Sequence, residues 1–122
     1  MIQVLPLKDE KLKKELFEKC GKNIQNGECV TAADGDEILG YCLFSIVDNT
    51  VTIHEIIPRD DVLMADGVLR SALYVASQRF VFKAFCDNDN LIDLLKRLSF
   101  IKDEKTRELD MDKLFKSCNH SE

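Results

Sequence analysis

The sequence predicts an α+β fold, a mixed and mostly antiparallel sheet flanked by helices, and three observations carry that prediction. Three apolar runs rich in β-branched and aromatic residues, at 29–33, 38–47 and 51–57, follow one another across tight turns. The hydrophobic period then switches to steps of three and four, through Ala65, Val68, Leu69, Ala72, Leu73, Ala76 and Phe80. A short apolar run, a Leu-rich helical pattern and another apolar run follow. Helices alternating with strands after a meander make a mixed sheet with helices on its faces.

Each element has a local reason. Residues 2–5 form a short apolar strand ended by Pro6. Asp9 can cap a helix in which Leu12, Leu16 and Cys20 fall four apart beside Phe17, and Gly21 stops it. Residues 22–27 are polar and turn-rich. Asp34-Gly35-Asp36 and Asp48-Asn49 make the turns of the meander, with Gly40 as a candidate bulge. Pro58 stops the third strand. Beyond the long helix, residues 81–86 form a strand, and Leu91, Leu94, Leu95 and Leu98 mark a second helix. Phe100-Ile101 starts a strand with 108–110 as partner, and Leu114 and Phe115 suggest a final turn of helix. The connection from 57 to 81 through the long helix would be a right-handed crossover, placing two strands parallel.

Composition bounds the function. A chain of 122 residues fits a single domain, 1–122, burying about two thirds of its unfolded surface. Its 45% hydrophobic and 32% charged content is that of a globular chain rather than a disordered one. The net charge of −5 without a basic run argues against nucleic-acid binding, which needs clustered Lys and Arg. The Lys residues at 11–19 alternate with Glu15 and Glu18, as on a solvated helix face. Five scattered Cys without metal-finger spacing read as reduced thiols of a cytoplasmic protein. Cys118 and His120 make at most a weak metal pair. No signal peptide is visible and no apolar run reaches membrane-spanning length.

Two runs carry a resemblance. Met64-Ala65-Asp66-Gly67-Val68-Leu69 leads into Arg70-Ser71-Ala72-Leu73, and Asn88 is followed by Leu91, Leu95, Ser99 and Phe100 at three, seven, eleven and twelve residues. Their order resembles the GNAT superfamily of N-acetyltransferases, over roughly the second half of the chain. In that family a phosphate loop reads Arg or Gln, two free positions, Gly, one free position, then Gly or Ala. Here Gly67 agrees, while Met64 and Leu69 depart from it, so the motif is degenerate. Asn88 and Phe100 agree with the second pattern, and Leu95 stands where many members carry a Tyr that protonates the leaving thiolate.

The resemblance implies an acyl-CoA N-acyltransferase fold moving an acetyl group from acetyl-CoA, its co-substrate, to a primary amine of a small molecule or protein. It implies strand backbone at Ile56 and Ile57 along the pantetheine, and Gly67, Val68, Leu69 and Arg70 at the pyrophosphate. It also implies Asn88 at the thioester and Glu55 as base, and it leaves a homodimer open. The alternative is a catalytically inactive module of this fold that binds acyl-CoA or a protein partner.

Strand alternation over 51–57 places Val51, Ile53, Glu55 and Ile57 on one face, leaving Glu55 a carboxylate among apolar neighbours, which suits a general base. Pairing with Arg59, or an edge position in water, are the other readings. His54 faces the opposite way, as a satisfied strand residue or a catalyst. Cys86 could be a nucleophile but has no His near it in sequence, and an inert buried thiol is the plainer reading. Arg70 and Arg79 lie on the long helix, where Arg70 could reach a phosphate or pair with an acid. Two registers stay open at the helix start. One has a loop running to Gly67, which the resemblance favours. In the other, a helix capped by Asp61 opens at residue 62, with Gly67 in its interior.

Overall fold

The computed structural model describes residues 1–24 and 26–116. The chain runs β1 (Ile2–Pro6), α1 (Glu10–Lys19), β2 (Gly27–Asp34), β3 (Glu37–Val47), β4 (Thr50–Ile57) and α2 (Val62–Gln78). It continues through β5 (Ala84–Cys86), a 3-10 turn (Asp89–Leu91), α3 (Ile92–Arg97), β6 (Ile101–Asp103), β7 (Glu108–Leu109) and α4 (Asp112–Lys116). The strands form one sheet in the order β1-β2-β3-β4-β5-β7-β6. Every pairing is antiparallel except β4 with β5. The crossover through α2 therefore makes the expected parallel pair. Cys118 and His120 lie outside the described residues. No helix among the described residues is long and apolar enough to cross a membrane.

The sheet has two unequal apolar faces. The larger core gathers Val30, Ala32, Cys42, Phe44, Val51, Ile53 and Ile56 of the meander with Ala65, Val68, Leu69, Ala72, Leu73 and Ala76 of α2. Leu91, Leu94, Leu95, Leu98 and Phe100 join it, so the helical stripe and the Leu pattern both point inward. Phe80 does not belong to that stripe. The helix ends at Gln78, and Phe80 follows with φ of 62° and its side chain in solvent. The smaller core lies on the opposite face, where Leu16 and Phe17 of α1 pack on Cys29 and Leu43. Asp9 caps α1 by accepting the Lys11 and Leu12 amides, and Gly21 takes φ of 78° just past its end.

Two irregularities matter for function. The first is a bulge in β4: Leu43 pairs with Glu55 but Phe44 pairs with Ile53, leaving His54 as the extra residue. The expected alternation fails there. Ile53 and Ile56 both enter the larger core, while Glu55 shares the face of its partner Leu43, under α1. Glu55 is thus separated from Val51 and Ile53, contrary to the reading from sequence.

The second is the start of α2. Asp61 is its N-cap, accepting the Met64 amide at 3.1 Å, and Ala65 N donates to Asp61 O at 2.9 Å. Gly67 is therefore an interior helical residue rather than the turn of a phosphate loop. A Cβ built on Gly67 meets nothing within 4 Å, and its φ is not positive. Gly40 is the opposite case, since a Cβ there would lie 2.7 Å from Ile57 O. Gly67→Ala should raise stability by about 0.5–1 kcal/mol in urea denaturation, the ordinary gain of replacing an unstrained helical Gly. Gly40→Ala should lower it by about 1–3 kcal/mol through overpacking against backbone. A loop at Gly67 would reverse the sign of the first result.

Candidate functional site

The parallel pair β4/β5 is short. Val51, Thr52 and Ile53 pair with Ala84, Phe85 and Cys86, and Asp87 N still donates to Ile53 O at 3.2 Å. Beyond that point the pairing with β5 ends, and among the described residues β4 up to Ile57 keeps a strand neighbour only on the β3 side. The result is a wedge with its vertex at His54 and Asp87. Asn88 braces the vertex. Its Nδ2 donates to His54 O at 3.0 Å, and its Oδ1 accepts the Asn90 amide at 3.0 Å as cap of the 3-10 turn. Asn88 therefore lies just past the end of β5, with both ends of its side-chain amide engaged by the protein itself.

Glu55 is buried, and its carboxylate is held by Arg59. Arg59 Nη2 lies 2.7 Å from Oε1 and 3.0 Å from Oε2, with Nε at 3.3 Å from Oε1. The same Oε1 accepts the Ile56 amide at 3.0 Å. The N–H of Ile56 at the open stretch of β4 is thus satisfied by the neighbouring side chain. Of the readings open for Glu55, pairing with Arg59 is the one observed. The Ile56 side chain is wholly in the larger core, and Ile57 ends the strand beside Tyr41.

The expected pyrophosphate group is not assembled. The amides of Gly67, Val68, Leu69 and Arg70 fall inside α2, where the i to i−4 ladder of a helix consumes them. The side chains of Val68 and Leu69 are fully buried in the core. Arg70 donates to Asp66 Oδ2 at 2.8 Å, and its guanidinium lies 5.2 Å from the centre of the Phe100 ring. At the true start of the helix the chain supplies Asp60 and Asp61, and negative charge there competes with any anion for the helix's positive end. Arg79 also looks elsewhere, making a two-pronged pair with Glu28 at 2.5 and 2.7 Å.

Sequence reasoning passed over two residues that the fold brings to His54. Ser45 Oγ lies 2.8 Å from Nε2 and Asp87 Oδ2 lies 2.8 Å from Nδ1 of the same ring. Lys22 Nζ in turn sits 3.3 Å from Asp87 Oδ2. Ser45 and Asp87 are 9 and 33 residues from His54, so no local spacing signals them. Cys86 is close by in the chain but inert. Burial pushes its thiol up to about 11, and that of Cys29 up to about 12. No group of three or more metal-ligating side chains occurs among the described residues.

Comparison with solved structures places this architecture. The ribosomal-protein-S18-alanine N-acetyltransferase of Escherichia coli superposes with a TM-score of 0.58 at 12% identity, over 88% of this chain and 88% of that one. An IAA acetyltransferase from Bacillus cereus superposes with a TM-score of 0.61 at 15% identity, over 80% of this chain and 75% of that one. The PaiA N-acetyltransferase of Thermoplasma acidophilum, solved in complex with coenzyme A, gives 0.55 at 10% identity, over 83% and 67%. Likeness at such identities is likeness of fold. No protein-family model and no curated protein sequence matches the chain.

The raised thiols set a pH dependence. Cys29 and Cys86 stay protonated in the native state above the ordinary thiol value of 9.0, whereas the unfolded chain ionises there. The unfolded state then binds fewer protons, so stability falls as pH rises from about 9 towards 11–12. The expected loss is about 1.4 kcal/mol per pH unit for each thiol. Urea titrations at pH 8, 9.5 and 10.5 should show it, with a shallower slope in Cys86→Ala.

Proposed function

We propose, from the GNAT acyl-CoA N-acyltransferase fold as premise, that this chain binds an acyl thioester in the wedge between β4 and β5. It passes the acyl group to a primary amine, on a small molecule or a protein. The observation that carries the proposal is the end of the pairing between the two strands after Ile53 and Cys86. An extended pantetheine arm needs a strand edge without a neighbour, and residues 54–57 supply one.

The arm competes with Glu55 for the Ile56 amide. When it takes that donor, the Glu55 carboxylate is released on one side and can accept a proton from the incoming ammonium, directly or through water. Arg59 holds the carboxylate until then and keeps it oriented. Asn88 stays at the vertex and positions the thioester end. Leu95, fully buried, donates no proton, so the departing thiolate takes one from water or from the attacking amine.

Acetyl-CoA is the expected donor, but its pyrophosphate meets Asp60 and Asp61 rather than free amides. Affinity should therefore reside in the pantetheine arm. In a thermal-shift titration, acetyl-CoA and acetyl-pantetheine should stabilise the protein to a similar degree. A ligand present at about a hundred times its dissociation constant adds about 2.7 kcal/mol. No shift with either donor at millimolar concentration overturns the proposal.

A second reading is favoured by the same contacts at Glu55: a catalytically inactive module of this fold that binds acyl-CoA or a protein partner. A carboxylate gripped by Arg59 and by the Ile56 amide is a structural pin as it stands. Glu55→Gln separates the two readings. An enzyme should lose about a hundredfold in acetyl transfer while keeping its thermal shift. An inactive module should keep the shift and show the same slow background turnover as before.

A further inference from the structure

The face beneath α1 holds a second constellation, which meets the wedge at its vertex, His54 and Asp87. Ser45 on β3, His54 in the β4 bulge and Asp87 just past β5 form an unbroken chain with two contacts of 2.8 Å. Ser45 is 7% exposed and His54 3%, so the hydroxyl and the ring are shielded from bulk water, while Asp87 reaches the surface with 37% of its side chain exposed. Its proton arrangement follows from the partners. The Asp87 carboxylate, paired with Lys22, only accepts, so Nδ1 of His54 carries the hydrogen directed at it. In the neutral ring Nε2 is then left with its lone pair towards Ser45 Oγ, whose hydroxyl donates to it. A hydroxyl bonded to an imidazole that is itself oriented by a carboxylate is the arrangement that activates a serine nucleophile.

Access lies on the α1 side. Gly27 is the β2 residue directly opposite Ser45. Phe17 packs on it so closely that a Cβ on Gly27 would lie 2.5 Å from the ring. The same ring meets His54 edge-on, with centroids 6.3 Å apart. On the outer side of Phe17 is an open groove of about 1260 Å³ whose wall includes Lys13, Phe17, Gly21, Lys22, Ile24 and Gly27. Phe17 and Gly27 thus line the groove and also border the polar chain, Phe17 at His54 and Gly27 opposite Ser45.

We propose that Ser45, His54 and Asp87 are a nucleophilic triad that hydrolyses short-chain acyl esters or thioesters admitted from this groove past Phe17. Ser45 Oγ bonds to the acyl carbon as its proton passes to His54 Nε2. The C–O or C–S bond to the leaving group breaks, and the departing alcohol or thiol takes that proton. The acyl group remains on Ser45 as an ester. Water then attacks the acyl carbon, giving a proton to His54, and the Ser45 oxygen departs with that proton as the carboxylic acid is released. Water is the only co-reactant, and no oxidant or reductant is needed.

The test uses the intact chain with p-nitrophenyl acetate and, separately, an alkyl fluorophosphonate probe, read by peptide mass spectrometry. This proposal does not depend on coenzyme binding, so its failure leaves the wedge reading standing and the reverse also holds. Expected are a fluorophosphonate adduct on Ser45 and ester hydrolysis that falls about a hundredfold in Ser45→Ala. Asp87→Asn should slow labelling of Ser45 by a similar factor while the circular dichroism spectrum is unchanged. Phe17→Leu, which opens the entry without removing the apolar contact, should speed it. Absence of the Ser45 adduct in both wild type and Phe17→Leu overturns the proposal. So does ester hydrolysis that persists in Ser45→Ala, or a labelling rate indifferent to Asp87→Asn in a folded protein.

Discussion

One extra residue in β4 governs how this sheet is used. Because His54 is inserted opposite the step from Leu43 to Phe44, the strand reverses its facing there. Ile53 and Ile56 can both reach the core under α2, and Glu55 is carried to the face under α1. The inserted ring also lands on that second face, beside Ser45 and against Phe17. At the same level β5 ends, so a single irregularity coincides with both the vertex of the wedge and the polar row of Ser45, His54 and Asp87.

Polar groups are tolerated under α1 because each is answered. Glu55 is bonded by Arg59 and Ile56 N, His54 by Ser45 and Asp87, and Asp87 by Lys22. Among the described residues no buried side-chain nitrogen or oxygen lacks a partner. Such networks are costly if half-satisfied and specific if complete. The face itself is covered by a single amphipathic helix whose buried contribution is Leu16 and Phe17, so the polar row lies close beneath a thin apolar cover.

The start of α2 shows how a helix can keep a fold and give up an anion site. Helix N-termini attract phosphate through free amides and the positive end of the dipole. Here Asp61 occupies that position from within the chain, and Asp60 adds a second negative charge beside it. The acidic residue Asp66 meanwhile holds Arg70 along the helix rather than towards its start. The helix gains a cap, and whatever thioester enters the wedge must be held by strand backbone more than by its phosphates.

The architecture was legible in the sequence because periodicity and turn chemistry are local. The meander, the α2 stripe, the cap at Asp9 and the Leu pattern of α3 all follow from residues within a few positions of one another. The start of α2 was legible only as two registers, since Asp61 and Gly67 are each reasonable punctuation. The cap at Asp61 and the packing of Ala65 into the core, which needs helix ahead of Gly67, decided between them. Tertiary structure alone decided the facing of Glu55, because a bulge depends on the partner strand's register and not on the strand's own alternation. It alone joined Ser45, His54 and Asp87, whose contacts cross three strands and whose separations in sequence carry no period at all.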